Sequence, residues 1–334
     1  MSWLRAEDHA YLQALADQPA ADVYHQPAYL RSVAGDGEVR VLVVPGLVLP
    51  LIVHRLPEWL GQPEQCDAES PYGYAAPLCS GSVDWTAVSA ELRSHGVVNA
   101  FLRSHPLHDW GEHFALPGIT RAPVVVIPLG EGREQAFSGA RCATHRSQIA
   151  RARKLGFTVE TQTAPTDLAD FRALYQRTMA RLQAAESYLF PDAAWRELIA
   201  LGERLALVTV RDAAGAVHNQ ALFLRGLRFA HYHLSARSDE AHNAAGNLLF
   251  EAAADWAVVH GCSAIHLGGG TSGREDDGLL AYKRRIGRAD AVFRTAGLIA
   301  DPVAHTALVD RWCARSRAAP RWFQAYRQPV VTAP

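Results

Sequence analysis

Hydrophobic positions along this chain change period repeatedly, from every third or fourth residue to every second and back. Over residues 2–16, Trp3, Leu4, Tyr11, Leu12 and Leu15 recur at helical spacing and predict a helix. VRVLVV and LVLPLIVH, residues 39–54, predict two strands meeting at Pro45-Gly46. The Pro/Gly/Tyr stretch SPYGYAAPL (70–78) reads as a loop. A helix is predicted over 87–96, a buried strand over 97–104 and another over 123–129.

The second half is more sharply punctuated. A basic helix is predicted from about Ser138 to Leu155, with Gly156 where a C-capping glycine is expected. FTVETQ (157–162) follows as a strand. Residues 167–185 form a long amphipathic helix with Leu168, Phe171, Leu174, Tyr175 and Leu182 on one face. LALVTVRD (205–212) and HNQALFLR (218–225) make a hairpin over Ala213-Ala214-Gly215, and RFAHYHLSA (228–236) is a further strand. Residues 244–260 predict a helix closed by Gly261, and SAIHLGG (263–269) a short buried strand. Helix and strand thus alternate with hairpins between them, in two similar runs, which predicts an α/β protein of two related domains.

Composition narrows the picture. The chain has 334 residues, of which 49% are hydrophobic and 20% charged, ordinary for a globular protein with a sizeable core. A formal net charge of −1 excludes indiscriminate nucleic-acid binding, so any such contact needs a local patch. Five widely spaced cysteines with no CxxC argue against a disulfide framework or zinc ribbon and for a reducing compartment. The charged, amphipathic start lacks a signal-peptide core, and no apolar run is long enough to span a membrane, so the expectation is a cytoplasmic protein.

Among 33 basic residues only Lys154 and Lys283 are lysine. Lysine is a compact point charge whose pKa moves readily, unlike arginine. Lys154 ends a basic helix where arginine would serve equally. Lys283 follows a glycine-rich loop in GGGTSGREDDGLLAYKRRIG and is the more telling of the two. Gly268–Gly273 satisfies GxGxxG, but it falls too late in the chain for a dinucleotide fold, and Arg274-Glu275 stands where a P-loop requires Lys-Ser/Thr. His231 and His233 flank Tyr232 on one predicted strand and share a face, suited to a cleft. No third ligand accompanies them, and no metal is expected. His105, His108 and His113 lie in a loop-like stretch with no assigned role, and no GxSxG or activated cysteine is present.

Five stretches in order, DAESPYGYAAPL (67–78), RCATHRSQIARARKLG (141–156), FRALYQRTMARLQAAESYLF (171–190), HYHLSARSDEAHNAAGNLLFEAAADWA (231–257) and IHLGGG…DGLLAYKRRIG (265–287), together resemble the FemABX-like transferases. The resemblance implies two tandem GNAT-like domains with mixed central sheets. Residues 1–130 with 295–334 would form the first, and residues 131–294 the second. It also implies transfer of an amino acid from aminoacyl-tRNA to a free amine of a peptide-like acceptor, either a secondary-metabolite peptide or a peptidoglycan precursor; no cofactor is expected, and the chain is expected to be a monomer.

On that resemblance Tyr282-Lys283 carries the family's aromatic–lysine pair, with Lys283 stabilising the charge that develops in transfer. Arg181 would hold acceptor phosphate, and Tyr188, Tyr72, Tyr74, His231 and His233 would line the acceptor site. Residues 140–154 contain Arg141, Arg146, Arg151, Arg153 and Lys154 with no acid. Arg146, Arg153, Arg284 and Arg285 are therefore the expected tRNA phosphate contacts. Two alternatives stay open: an acyl-CoA-dependent N-acyltransferase, and a non-catalytic tRNA- or peptide-binding protein. The first is weakened by ARSDEAHNAAGN, where Asp239 and Glu240 occupy the turn that would face a pyrophosphate.

Overall fold

A computed structural model describes residues 1–108, 116, 119–130 and 132–328. His113 lies outside them. The chain divides into two compact units, Met1–Arg121 with Phe293–Pro334, and Ala122–Val292.

In the first unit, strands β1 (Ser2–Leu4), β2 (Glu38–Val44), β3 (Leu47–Arg55) and β4 (Cys66–Glu69) run antiparallel, each against the next. The two-residue β5 (Leu78–Cys79) pairs with β3. Strand β6 (Val97–Arg103) then lies parallel to β4, reached through helix α3 (Trp85–Ser94). Helices α1 (His9–Ala16) and α2 (Pro27–Ser32) precede β2.

The helix expected over 2–16 is shorter than predicted and preceded by a strand. Trp3 and Leu4 pair with Leu42 and Val41 of β2, and Asp8 opens α1 only afterwards. Edge pairing satisfies those backbone groups at the cost of the first helical turns. The strands at 39–54 and the turn between them stand where the alternation placed them, with Gly46 at φ 77°, a conformation that glycine adopts without a Cβ penalty.

The second unit repeats this plan. Strand β7 (Thr120–Pro128) is followed by helices α4 (Arg133–Ala136) and α5 (Ala143–Lys154), strand β8 (Thr158–Thr163), and helices α6 (Ala169–Arg181) and α7 (Asp192–Ile199). Strands β9 (Leu205–Arg211), β10 (Val217–Arg225) and β11 (Phe229–Arg237) form an antiparallel meander with β8. Helix α8 (Asn247–Val259) crosses to β12 (Ala264–Gly268), which lies parallel to β11 and antiparallel to the 125–128 end of β7. An antiparallel meander, a crossover helix and a parallel strand thus occur once in each unit. The fold is α/β, with mixed sheets in two tandem halves.

Helix α8 supplies the centre of the second core. Leu248, Leu249, Phe250, Ala253, Ala254, Trp256 and Ala257 are buried with Val208, Val210, Ala221, Phe223 and Ile265. Its alanines let it lie close to the strands. Gly261, at φ 75°, ends it in the left-handed conformation that closes a helix.

Helix α9 (Gly278–Arg284) and strand β13 (Ala289–Ile299) follow, then α10 (Pro302–Ser316). Residues 295–299 of β13 pair with β6, so the last part of the chain returns to the first unit. There Leu308 and Trp312 of α10 bury against Leu56, Leu60 and Val98, and Arg327 makes a two-pronged pair with Asp67 at 2.8 and 2.5 Å.

Candidate active site

The glycine-rich loop after β12 is organised around one carboxylate. Asp277 Oδ2 accepts from the backbone N–H and hydroxyl of both Thr271 and Ser272 at 2.8–2.9 Å. Its Oδ1 caps α9 by accepting from Leu279 N and Leu280 N at 2.9 and 3.0 Å. These donors hold the Asp277 carboxyl well below the usual carboxylate range. A Cβ on Gly270 would fall 2.2 Å from the same carboxylate, which explains a glycine there independently of any nucleotide.

Helix α9 presents Tyr282 and Lys283 in different directions. Lys283 is 8% exposed, and its Nζ donates to the Gly269 carbonyl at 2.7 Å. The ammonium also lies 6.0 Å from the centre of the Tyr232 ring. Burial pulls its pKa down to about 8, opposed by the nearby Asp277 charge. Lys154, in contrast, is exposed in the last turn of α5.

Tyr282, half-buried, lines a cavity of about 670 Å³ within the second unit. Its wall includes Arg151 of α5, Tyr232 of β11 and Arg285 just after α9, together with the residues that open α8. Among the described residues, three arginines, counting Arg237, and no carboxylate line it. Arg237 is committed to the loop ahead of α8, donating to Ala241 O at 2.6 Å and Asn243 Oδ1 at 2.9 Å. Arg151 and Arg285 have no acidic partner among the described residues, so the cavity offers two uncommitted guanidinium groups to an anion.

The cavity also contains a pair that sequence reading missed. His145 Nδ1 lies 2.8 Å from Asn247 Oδ1, and the two residues are separated by 102 positions in the chain. Only the packing of α5 against the start of α8 brings them together, so no local motif could reveal them.

The remaining predicted residues scatter. Arg181, at the end of α6, pairs with Asp239 and donates to Arg237 O at 3.1 Å. Tyr188 is exposed on a single turn over Glu186–Tyr188. In the first unit, the carbonyl of exposed Tyr72 accepts from Tyr29 at 2.9 Å, while Tyr74 sits edge-on to Tyr24 and Phe293 at 5.6 and 5.2 Å. His231 is buried edge-on to His266 at 5.8 Å. Burial, with His231 alongside, lowers the His233 pKa to about 3. The pairing of β11 with β10 slips at His233, where Leu234 stands opposite Leu222 and Tyr232 opposite Phe223, so simple alternation does not carry through the pair, and Tyr232 lines the cavity.

Most arginines of the expected tRNA patch already have partners. Arg146 donates to the carbonyls of Phe137 and Gly139 at 2.6 and 2.8 Å. Arg153 pairs with Glu251 at 2.8 Å, and Arg284 with Glu275 at 2.7 Å. The acid-free run 140–154 thus meets Glu251 of α8 through Arg153 and Asp290 of β13 through Arg141. Of the four predicted contacts, Arg285 alone combines exposure, a place on the cavity wall and no acidic partner among the described residues.

Residues 140–284, from the turn before α5 to the end of α9, match the family described as "Acetyltransferase (GNAT) domain". The structure of FemX superposes with a TM-score of 0.61 at 13% identity, covering 92% of this chain and 99% of that one. The chain has a FemX-like fold. L-PGS from Bacillus licheniformis is a second such neighbour, with a TM-score of 0.57 at 12% identity over 92% of this chain and 96% of that one. No curated protein matches the sequence significantly. The family resemblance read from the order of motifs is thus borne out in the FemX-like fold, and the tandem GNAT architecture with it. No helix among the described residues is long and apolar enough to cross a membrane.

Proposed function

We propose that the protein is an acyltransferase that moves an aminoacyl group from aminoacyl-tRNA to a free amine of a peptide-like acceptor. The observation that carries this reading is Lys283, a nearly buried ammonium 2.7 Å from the Gly269 carbonyl and 6.0 Å from the centre of the Tyr232 ring, a residue that also lines the arginine-bearing cavity.

An aminoacyl ester is already activated. The acceptor nitrogen attacks its carbonyl carbon, negative charge gathers on the carbonyl oxygen, the C–N bond forms, and the C–O bond to the ribose breaks. The nitrogen gives up a proton and the ribose oxygen takes one. A fixed cation near the developing oxyanion lowers this barrier, and losing such a group commonly costs about 10²–10³ in rate. Lys283 supplies that charge and Tyr282 shapes the space beside it. Arg285, with Arg151, is placed to meet phosphate, and the reaction belongs in the cytoplasm, where charged tRNA is found.

An acyl-CoA donor is the second reading, favoured by the GNAT match and by the position of the cavity at the start of α8. One assay separates the two. The protein is incubated with candidate amines and either charged tRNA or acyl-CoA, with RNase added to a parallel charged-tRNA reaction. RNase-sensitive product is expected, and product from CoA thioester alone would reverse the order. Lys283→Ala should lose about 10²-fold or more in turnover while remaining folded, and Lys283→Arg should not restore it. Near-normal turnover in Lys283→Ala would sink the assignment.

A further inference from the structure

The His145–Asn247 pair fixes more than a side-chain position. Asn247 Nδ2 donates to the carbonyls of Asn243 and Ala244 at 3.3 and 3.2 Å. Since a carbonyl can only accept, the amide orientation is set, and its Oδ1 is the atom turned to His145. Oδ1 in turn can only accept, so His145 Nδ1 carries the proton and Nε2 keeps its lone pair. The ring is 1% exposed and tilted against Phe137 at 4.6 Å. Burial lowers its pKa to about 4, so it is neutral at physiological pH.

Nε2 is thus a defined acceptor, buried in the wall of the cavity, and it has no hydrogen-bond partner among the described residues. A second buried oxygen on that wall, Oδ1 of Asn219, a residue 8% exposed, also has no hydrogen-bond partner among the described residues. A buried acceptor left unmatched costs about 1–3 kcal/mol, and two in one cavity mark a place where a ligand brings the donors. The arginines add the other half of the specification. With Arg151 and Arg285 uncommitted and no carboxylate on the wall, the ligand is anionic at one end and offers O–H or N–H groups at the other.

We propose that His145, oriented by Asn247, is a specificity-determining residue of this cavity, whose Nε2 accepts a hydrogen bond from an O–H or N–H of a phosphate-bearing acyl donor held at Arg151 and Arg285. This rests on the acyl-transfer reading for the word donor, but not on which donor is used. A ribose hydroxyl or amine of an aminoacylated nucleotide and a pantetheine amide of coenzyme A share the required chemistry.

The test titrates two probes into the full-length protein by calorimetry: coenzyme A, and a cytidylyl-cytidylyl-adenosine trinucleotide carrying an amide-linked alanine. One probe should bind, and His145→Phe should weaken it by about tenfold or more, the equivalent of one lost hydrogen bond. His145→Gln, which keeps an acceptor, should recover most of the loss. If coenzyme A alone binds and depends on His145, the inference holds and the tRNA reading fails. If the trinucleotide binds equally to the wild type and His145→Phe, the tRNA reading survives and the inference falls. Binding of neither probe overturns both. Should His145→Phe not fold, the ¹⁵N resonance of Nε2 in histidine-labelled wild type decides. It should move toward the hydrogen-bonded position on saturation with the bound probe, and an unmoved signal refutes the role.

Discussion

Replacing Lys283 by methionine should make the protein more stable while disabling it. Burial sets the effect: Lys283 is 8% exposed, and its pKa falls from the ordinary 10.5 to about 8. At about 1.4 kcal/mol for each tenfold change in the proton equilibrium, the charged form carries a penalty of about 3 kcal/mol in the folded state. The folded pKa is the lower one. Below pH 8 both folded and unfolded chains are protonated, and the penalty is fully present. Between about pH 8 and 10.5 the unfolded chain holds more protons, so stability rises with pH and the penalty fades. Methionine keeps the apolar stem and removes the charge, but it forfeits the bond to Gly269, worth about 1 kcal/mol. The variant should therefore gain about 2 kcal/mol at pH 7, roughly 4–8 °C in Tm for a domain of this size. Urea melts of the two proteins at pH 7, 8.5 and 10 provide the assay. The variant's advantage should shrink by about 3 kcal/mol across the series. An advantage that does not change with pH, or a Lys283→Met protein less stable than wild type at pH 7, would show that the ammonium is not held at a cost.

Two further outcomes follow from the same structure. If Lys283 acts as a cation, turnover should fall as pH rises through about 8, and the falling limb should be missing from the residual activity of Lys283→Ala; a flat wild-type profile from pH 7 to 9.5 would contradict this. Arg327→Ala leaves the fully buried Asp67 carboxylate without its two-pronged partner. Because Arg327 is itself partly exposed, the cost should be about 2 kcal/mol, below the range for a fully buried pair. Adding Asp67→Asn should recover much of that loss in chemical denaturation, and failure of the double variant to improve on Arg327→Ala would count against a charge effect.

Much of the second unit was legible because its signals were local. The hairpin 205–225 turns over Ala213–Gly215 as its sequence indicates, and α8 ends at the glycine that punctuates it. Tyr282-Lys283 stood out for the same reason, following a loop dense in glycine within a few residues. The first helix is shorter than its periodicity predicts because Trp3 and Leu4 fit a helical face and an edge strand equally well, and only β2, some forty residues on, decides between them. The predicted basic surface was weakened for a related reason. A run without acids says nothing about Glu251 or Asp290, which arrive from elsewhere to pair with Arg153 and Arg141. His145 and Asn247 were invisible on the same grounds, each being an ordinary polar residue on its own helix until packing joins them.

The return of the chain to its first unit sets an order of assembly. Strand β6 is synthesised by residue 103, but its neighbour in β13 emerges almost two hundred residues later, and Asp67 waits longer still for Arg327. At about 5–20 residues per second, the ribosome spends roughly ten to forty seconds making the intervening segment. By the end of that time the second unit, continuous from Ala122 to Val292, has been made in full, while the first still lacks the strand that pairs with β6. The half of the protein that is written first is therefore the half completed last, and a chain ending at residue 292 would carry the whole of the second unit together with a first unit whose sheet edge is open and aggregation-prone.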